Sequence, residues 1–110
     1  MAWDIFLFES KRGDKYVEVF IEDQESSTIA KIIHTIDLLE QYGPNLSMPH
    51  SKKLTSELYE LRIRGKVEIR IIYTFYKRKI YLLHAFNKKS QKTPRKEINL
   101  SLERYKTLTI

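Results

Sequence analysis

The chain contains no cysteine in 110 residues. That excludes disulfides, thiolate chemistry and cysteine-based zinc sites, and it fits a reducing compartment. Glycine and proline are scarce, at three each, and act as punctuation rather than as linkers. No internal repeat or low-complexity tract is present. No apolar run approaches the roughly 20 residues that a membrane-crossing helix needs. The start, Met1-Ala2-Trp3-Asp4, lacks the basic and apolar regions of a secretion signal, so a cytoplasmic protein without membrane contact is expected. No group of histidines and carboxylates has metal-ligand spacing, so neither a metal nor another cofactor is suggested. What remains is one domain's length, residues 1–110, with 42% hydrophobic and 31% charged side chains. That is too apolar for disorder and ordinary for a soluble fold.

The charge is unevenly spread. The net charge is +6, from 20 Lys and Arg against 14 Asp and Glu. Residues 1–55 carry 6 basic and 9 acidic side chains, and residues 56–110 carry 14 basic and 5 acidic. From Arg62 to Lys96 there are 12 basic residues and a single acid, Glu68. An excess this local sets up a field over one surface, whose natural partners are polyanions. A merely solvated, soluble face is the plainer reading. Polyanion binding is preferred because the basic residues alternate with strand-like apolar ones.

Hydrophobic periodicity supplies the elements. Ile5-Phe6-Leu7-Phe8 reads as a first strand, and Lys11-Arg12-Gly13-Asp14 as a turn. Residues 14–23 read as a short helix with Val17, Phe20 and Ile21 on one face. A longer helix follows, capped by the hydroxyl of Ser26 or Ser27. Ile29, Ile32, Ile33, Ile36 and Leu39 form its apolar stripe, and Gly43 and Pro44 stop it. Residues 44–55 read as a loop holding His50, Lys52 and Lys53. Three strands come next, at 58–64, 67–76 and 80–86, with turns at Gly65 and at Lys77-Arg78-Lys79. Connections this short force antiparallel neighbours. Asn87 opens a basic loop that ends at Thr93, which is placed to cap a last helix with Pro94 in its first position. Ile98, Leu102 and Tyr105 give that helix an apolar face. The fold class expected is α+β: an antiparallel sheet, N-terminal helices packed on one face, and a C-terminal helix.

Alternation decides which side chains share a face. Helices should cover the side bearing Val67, Ile69 and Ile71. Arg62 and Arg70 then project together from the other side, provided the register pairs position 62 with position 70. Two arginines, a lysine-rich loop and nearby tyrosines suit phosphate, because guanidinium forks bind phosphate oxygens in pairs and lysines act as point charges. Tyrosines can stack on unpaired bases. Cleaving RNA requires a base for the 2′-hydroxyl, stabilisation of the pentavalent phosphate, and a proton for the leaving 5′-oxygen.

Competing readings stand at this point. Arg62 and Arg70 could equally pair with Glu60 and Glu68 across a wet face. Tyr73 has the parity of a core residue, whereas Tyr76 ends its strand and suits exposure. His34 suits a helix surface. His84 shares strand parity with Leu82 and Phe86 and suits a satisfied core histidine. His50, in a polar loop, remains a candidate acid or base. Lys88, Lys89 and Lys92 are either a solvated run or an anion contact.

Three stretches carry a resemblance. They are Leu58-Tyr59-Glu60-Leu61-Arg62, then Arg70-Ile71-Ile72-Tyr73, then the run from Leu82 through Phe86-Asn87-Lys88-Lys89 and Lys92-Thr93-Pro94 to Glu97-Ile98. Leu38-Leu39-Glu40-Gln41-Tyr42-Gly43-Pro44 and Met48-Pro49-His50-Ser51-Lys52-Lys53-Leu54 add to it. Together they resemble the HigB branch of the RelE/ParE toxin superfamily, in its phage-derived subgroup. The resemblance implies a RelE-like toxin domain of a type II toxin–antitoxin pair. It implies metal-independent, ribosome-dependent cleavage of mRNA that inhibits translation. It also implies neutralisation by a HigA-like helix-turn-helix antitoxin, through which the complex binds operator DNA. By position, Arg62 and Arg70 match basic residues of the family's active surface, and Lys88 or Lys89 falls near the basic residue after its last strand. Some relatives have lysine where Glu60 stands, and no tyrosine in 87–97 matches the C-terminal tyrosine of certain members, which leaves Lys92 and His50 as candidates for proton transfer.

The expected catalytic set is therefore Arg70 on the scissile phosphate, Arg62 on transition-state charge, and Lys89 and Lys92 in substrate grip or proton transfer. Lys52, Lys53, Arg64, Tyr76 and Lys88 are expected to bind RNA. Two other functions compete: a ParE-like gyrase poison that acts without catalysis, and a non-catalytic nucleic-acid-binding module.

Overall fold

In a computed structural model, which describes residues 2–109, the elements run β1 (Ile5–Leu7), α1 (Tyr16–Glu22), α2 (Ser26–Tyr42), a 3-10 turn (Gly43–Asn45), β2 (Ser51–Lys53), β3 (Tyr59–Ile63), β4 (Ile69–Tyr76), β5 (Lys79–Asn87) and α3 (Arg95–Leu108). The five strands form one sheet in the order β1-β5-β4-β3-β2. The three central strands expected from alternation are antiparallel neighbours. The sheet as a whole is mixed, because β1 runs parallel to β5, with Ile5 opposite Ile80. That corrects the wholly antiparallel sheet. The physical reason is the long connection through α1 and α2, which frees β1 from the hairpin rule that binds adjacent strands.

Two apolar clusters sandwich the sheet. Val17, Phe20 and Ile21 of α1 and Ile32, Ile36 and Leu39 of α2 gather with Leu61, Ile63, Ile69, Ile71, Ile80 and Leu82. Phe8, Leu58, Ile72, Leu83 and Phe86 gather with Ile98, Leu102 and Tyr105 of α3. Alternate residues of β4 thus enter different clusters, as the period of two requires. Each fully buried Ile or Leu contributes about 1.5–3 kcal/mol, so neither cluster is dispensable.

A bulge keeps β5 in phase with both clusters. Ile72 pairs with His84 and Tyr73 with Leu82, leaving Leu83 as the extra residue. Leu82 and Leu83 then fall into opposite clusters, and His84 shares the face of Ile72 rather than that of Leu82. This separates His84 from Leu82, with which simple alternation had grouped it.

The helix ends differ from the simplest expectation. Glu25 stands at the N-cap of α2, and no side-chain hydroxyl caps it. Ile33 is 52% exposed, while Thr28 and Thr35 are buried, so the stripe runs one position off the all-isoleucine line. Pro94 rather than Thr93 occupies the N-cap of α3, because the Thr93 hydroxyl is engaged elsewhere. Gly43 ends α2 with φ +51°. A Cβ there would collide with the Trp3 indole, so only glycine lets that ring close over the helix end.

Candidate functional site

The β3–β4 register fixes the site. Arg62 lies directly opposite Arg70, flanked by the Leu61–Ile71 and Ile63–Ile69 pairs. Like charges facing each other across a ladder repel, so the pair needs compensation. It comes from carboxylates. The Arg70 Nη1 donates to Glu68 Oε2 at 2.9 Å and to the Ile69 carbonyl at 3.2 Å. Its Nε stands 3.7 Å from Glu60 Oε2. Glu60 in turn accepts from the Thr93 hydroxyl. Arg70 and Glu60 are each only 2% exposed, whereas the Glu68 side chain is 41% exposed.

Arg70 therefore does not project from a wet face. The expectation of two open guanidiniums is corrected: Arg70 forms a buried floor paired with Glu60 and Glu68, and Arg62 is the accessible member. Ionised groups taken from water need charge partners and hydrogen bonds. Here both carboxylates pair with the guanidinium and Nη1 is hydrogen-bonded, while the buried Nε keeps only the charge of Glu60 and no hydrogen bond. Arg62 is half-buried. Its Nη1 donates to the Met48 sulfur at 3.2 Å, a weak acceptor. Its Nε is buried without a partner.

Around these arginines lies an open groove of about 520 Å³, lined by Arg62, Arg64, Glu68, Arg70, Lys88, Lys89, Ser90 and Gln91. Five cations thus face one carboxylate. Lys88 enters it as the continuation of β5, its backbone N–H donating to the Glu68 carbonyl at 2.8 Å. Burial holds the Lys88 ammonium below its usual range. The Arg70 and Arg62 guanidiniums push it the same way, against Glu60 and Glu68. A lysine so placed gives up its proton more readily than a free one.

The remaining expected residues scatter. Lys92 is exposed on the same loop but does not line the groove. It serves the loop through its carbonyl, which accepts from Ser90 Oγ at 2.7 Å. Lys52 pairs with Glu60 and Lys53 with Tyr59 on β2, a strand that the polar Ser-Lys-Lys sequence did not announce. The register puts Lys52 on the face of Glu60, and Lys53 on the opposite face, where its Nζ lies 5.8 Å over the Tyr59 ring. Tyr76 is six residues from Arg70 along β4, about 20 Å away at strand rise, so it is corrected to lie outside the groove. Tyr73 is core, as its parity indicates. Its hydroxyl meets Ser51 Oγ at 2.5 Å, and burial raises its pKa to about 12.

Ser90 and Gln91 were missed as lining residues; only their place between lysines pointed to them. The buried role of Glu60 was missed as well. His84 is satisfied: its Nε2 lies 2.8 Å from Glu97 Oε1 and its Nδ1 lies 3.4 Å from Arg104 Nη1. Among the described residues, no group of three or more histidines and carboxylates could hold a metal ion, and no helix is long and apolar enough to cross a membrane.

An α+β chain with a basic groove at the edge of a strand pair is the class that fold and site define. The model of the family described as "Phage derived protein Gp49-like (DUF891)" matches residues 19–106, and the chain belongs to that family, one of RelE/HigB-like toxins. The match spans β2 through β5 and nearly all of α3, so it includes every groove residue. A comparison with curated proteins finds no match. Membership is consistent with the toxin of a toxin–antitoxin pair and suggests an antitoxin partner.

Proposed function

We propose that this chain is a HigB-type toxin that cleaves mRNA on the ribosome, and the observation that carries this is the convergence of Arg62, Arg64, Arg70, Lys88 and Lys89 on one groove. A phosphodiester laid in the groove meets Arg62 first. The weak sulfur contact of its Nη1 exchanges for a phosphoryl oxygen. The 2′-hydroxyl gives its proton to solvent water as its oxygen attacks the adjacent phosphorus. The P–O5′ bond breaks, leaving a 2′,3′-cyclic phosphate and a 5′-hydroxyl. Guanidinium charge stabilises the extra negative charge of the pentavalent state. Lys88, whose pKa is lowered by burial and the neighbouring arginines, delivers the proton to O5′, and Lys89 and Arg64 grip the strand.

Arg70 acts as a positioning residue: it fixes Glu68 and Glu60 and sets the potential that Lys88 feels. Lys92 and Lys52 add long-range attraction. A HigA-like helix-turn-helix antitoxin would block the groove and carry the complex to operator DNA.

The test is Arg62→Ala. Removing one oxyanion-directed cation costs about 3 kcal/mol, or roughly 100-fold in rate. Mapping mRNA 5′ ends after induction should show cuts in translated frames for the wild type and their loss in the variant. Its thermal melt should stay close to wild type. Wild-type toxicity that raised the DNA-damage response and left mRNA intact would overturn the reading and favour a gyrase poison.

A further inference from the structure

A second groove of about 430 Å³ adjoins the first between α2 and β3, lined by Ala30, Lys31, His34, Thr35, Pro49, His50, Arg62, Ile63 and Arg64. Arg62 and Arg64 line both grooves, so they form the shared wall. The two spaces differ in chemistry. The first is a bed of cations. The second has mostly apolar walls, with Ala30, Pro49 and Ile63 in its lining, two imidazoles and no carboxylate. Its cations are Lys31, Arg62 and Arg64. The Lys31 ammonium leans over the turn after β3, where a Cβ on Gly65 would lie 2.6 Å from its Nζ.

We propose that this second groove is a nucleobase subsite, holding the base next to the phosphate gripped by Arg62. The proposal rests on the RNA-cleaving reading and adds where that substrate is read. A nucleotide is an anion joined to a flat, amphipathic ring. The paired grooves offer an anion bed joined to an apolar slot with imidazoles, and histidine faces stack on unpaired bases. The volume falls in the range of small-ligand sites. Arg62 lines both grooves and its buried Nε has no partner in the protein, so a small turn of this side chain would let a phosphate or a base carbonyl satisfy it. An acidic peptide would use the cations but leave the apolar walls and the rings without a matching group, so the base is the better occupant.

The experiment separates binding from cleavage. A 2′-O-methyl trinucleotide has no attacking 2′-hydroxyl, so it binds without being cut. It is titrated at millimolar concentration into the full chain, with the histidine imidazole carbons and the Lys88 and Lys89 amides observed by NMR. The probes are the trinucleotide, the same backbone lacking bases, and poly-L-glutamate. The expected result is that the trinucleotide moves the His34 and His50 rings together with Lys88 and Lys89, and that the baseless backbone moves only the lysines. His34→Ala, on an exposed helix position, should weaken the trinucleotide three- to tenfold and leave the baseless backbone unchanged. Shifts confined to residues 88–91 would overturn the subsite and leave the phosphate groove standing. Poly-L-glutamate moving both rings as far as RNA does would also overturn it, in favour of an acidic protein segment. Ring shifts with RNA from a chain that leaves cellular mRNA intact would support the subsite and remove the cleavage.

Discussion

At the scale of single residues, one tyrosine and two arginines show what alternation in a sequence can and cannot disclose. Period-two spacing put Tyr73 in the core and set Arg62 beside Arg70, and the register does so. Spacing says which face a side chain takes. It does not say whether that face is covered, and α3 and the 88–94 segment cover part of this one. Arg70 is consequently buried against Glu60, an outcome that was legible only as an alternative. Tyr73 yields a sharp prediction. Its pKa is raised to about 12, above the unfolded value of about 10. The folded state therefore keeps a proton that the unfolded chain sheds. The associated stability is complete below pH 10 and is lost as pH rises from 10 towards 12. A two-unit difference corresponds to about 3 kcal/mol. Tyr73→Phe should remove most of this alkaline loss, read as urea midpoints at pH 9 and pH 11.5. At pH 9 it should cost about 1–2 kcal/mol, because the buried Ser51 hydroxyl loses its partner.

At the scale of elements, the three strongest strands and all three helices could be read from periodicity. The misses have specific causes. β2 is three residues of Ser-Lys-Lys with no alternation to find. Parallel pairing of β1 depends on what lies 75 residues away. Thr93 looked like a cap because its hydroxyl stands before Pro94, but a buried carboxylate is the stronger acceptor. The docking of α3 on β5 carries its own prediction. Burial lowers the His84 pKa, with Glu97 opposing and Arg104 assisting. Neutral His84 satisfies both neighbours: Nε2–H donates to Glu97, and Nδ1 accepts from Arg104. Protonation would set N–H against the Arg104 guanidinium, which also donates to the Leu83 carbonyl at 2.7 Å. Because the folded pKa lies below the unfolded value of about 6.5, stability is complete above pH 6.5 and declines as pH falls through the folded pKa. His84→Gln, which keeps a donor towards Glu97, should flatten the decline between pH 7 and pH 5 in thermal melts.

At the scale of the whole molecule, the split between an acidic N-terminal half and a basic C-terminal half was visible in composition alone, and it marked the half that holds the groove. Composition could not separate the groove from the rest of the basic residues. Lys77, Arg78 and Lys79 sit at the far hairpin, while Arg62, Arg64, Lys88 and Lys89 converge. Only the latter should exchange counterions with a bound strand. With about four phosphate contacts, the logarithm of affinity for a 2′-O-methyl oligonucleotide should fall against log salt with a slope near −3. Lys89→Ala should reduce that slope by about 0.7, whereas Lys79→Ala should leave it unchanged. Fluorescence anisotropy across a salt series measures both. One last feature bears on how quickly such a strand is captured. The lysine segment is fastened at its start by the Lys88 amide on Glu68 and at its end by the Thr93 hydroxyl on Glu60. Its charges stand ready before any partner arrives, so the on-rate should follow diffusion and ionic strength, with no slower phase in which a floppy segment settles into shape.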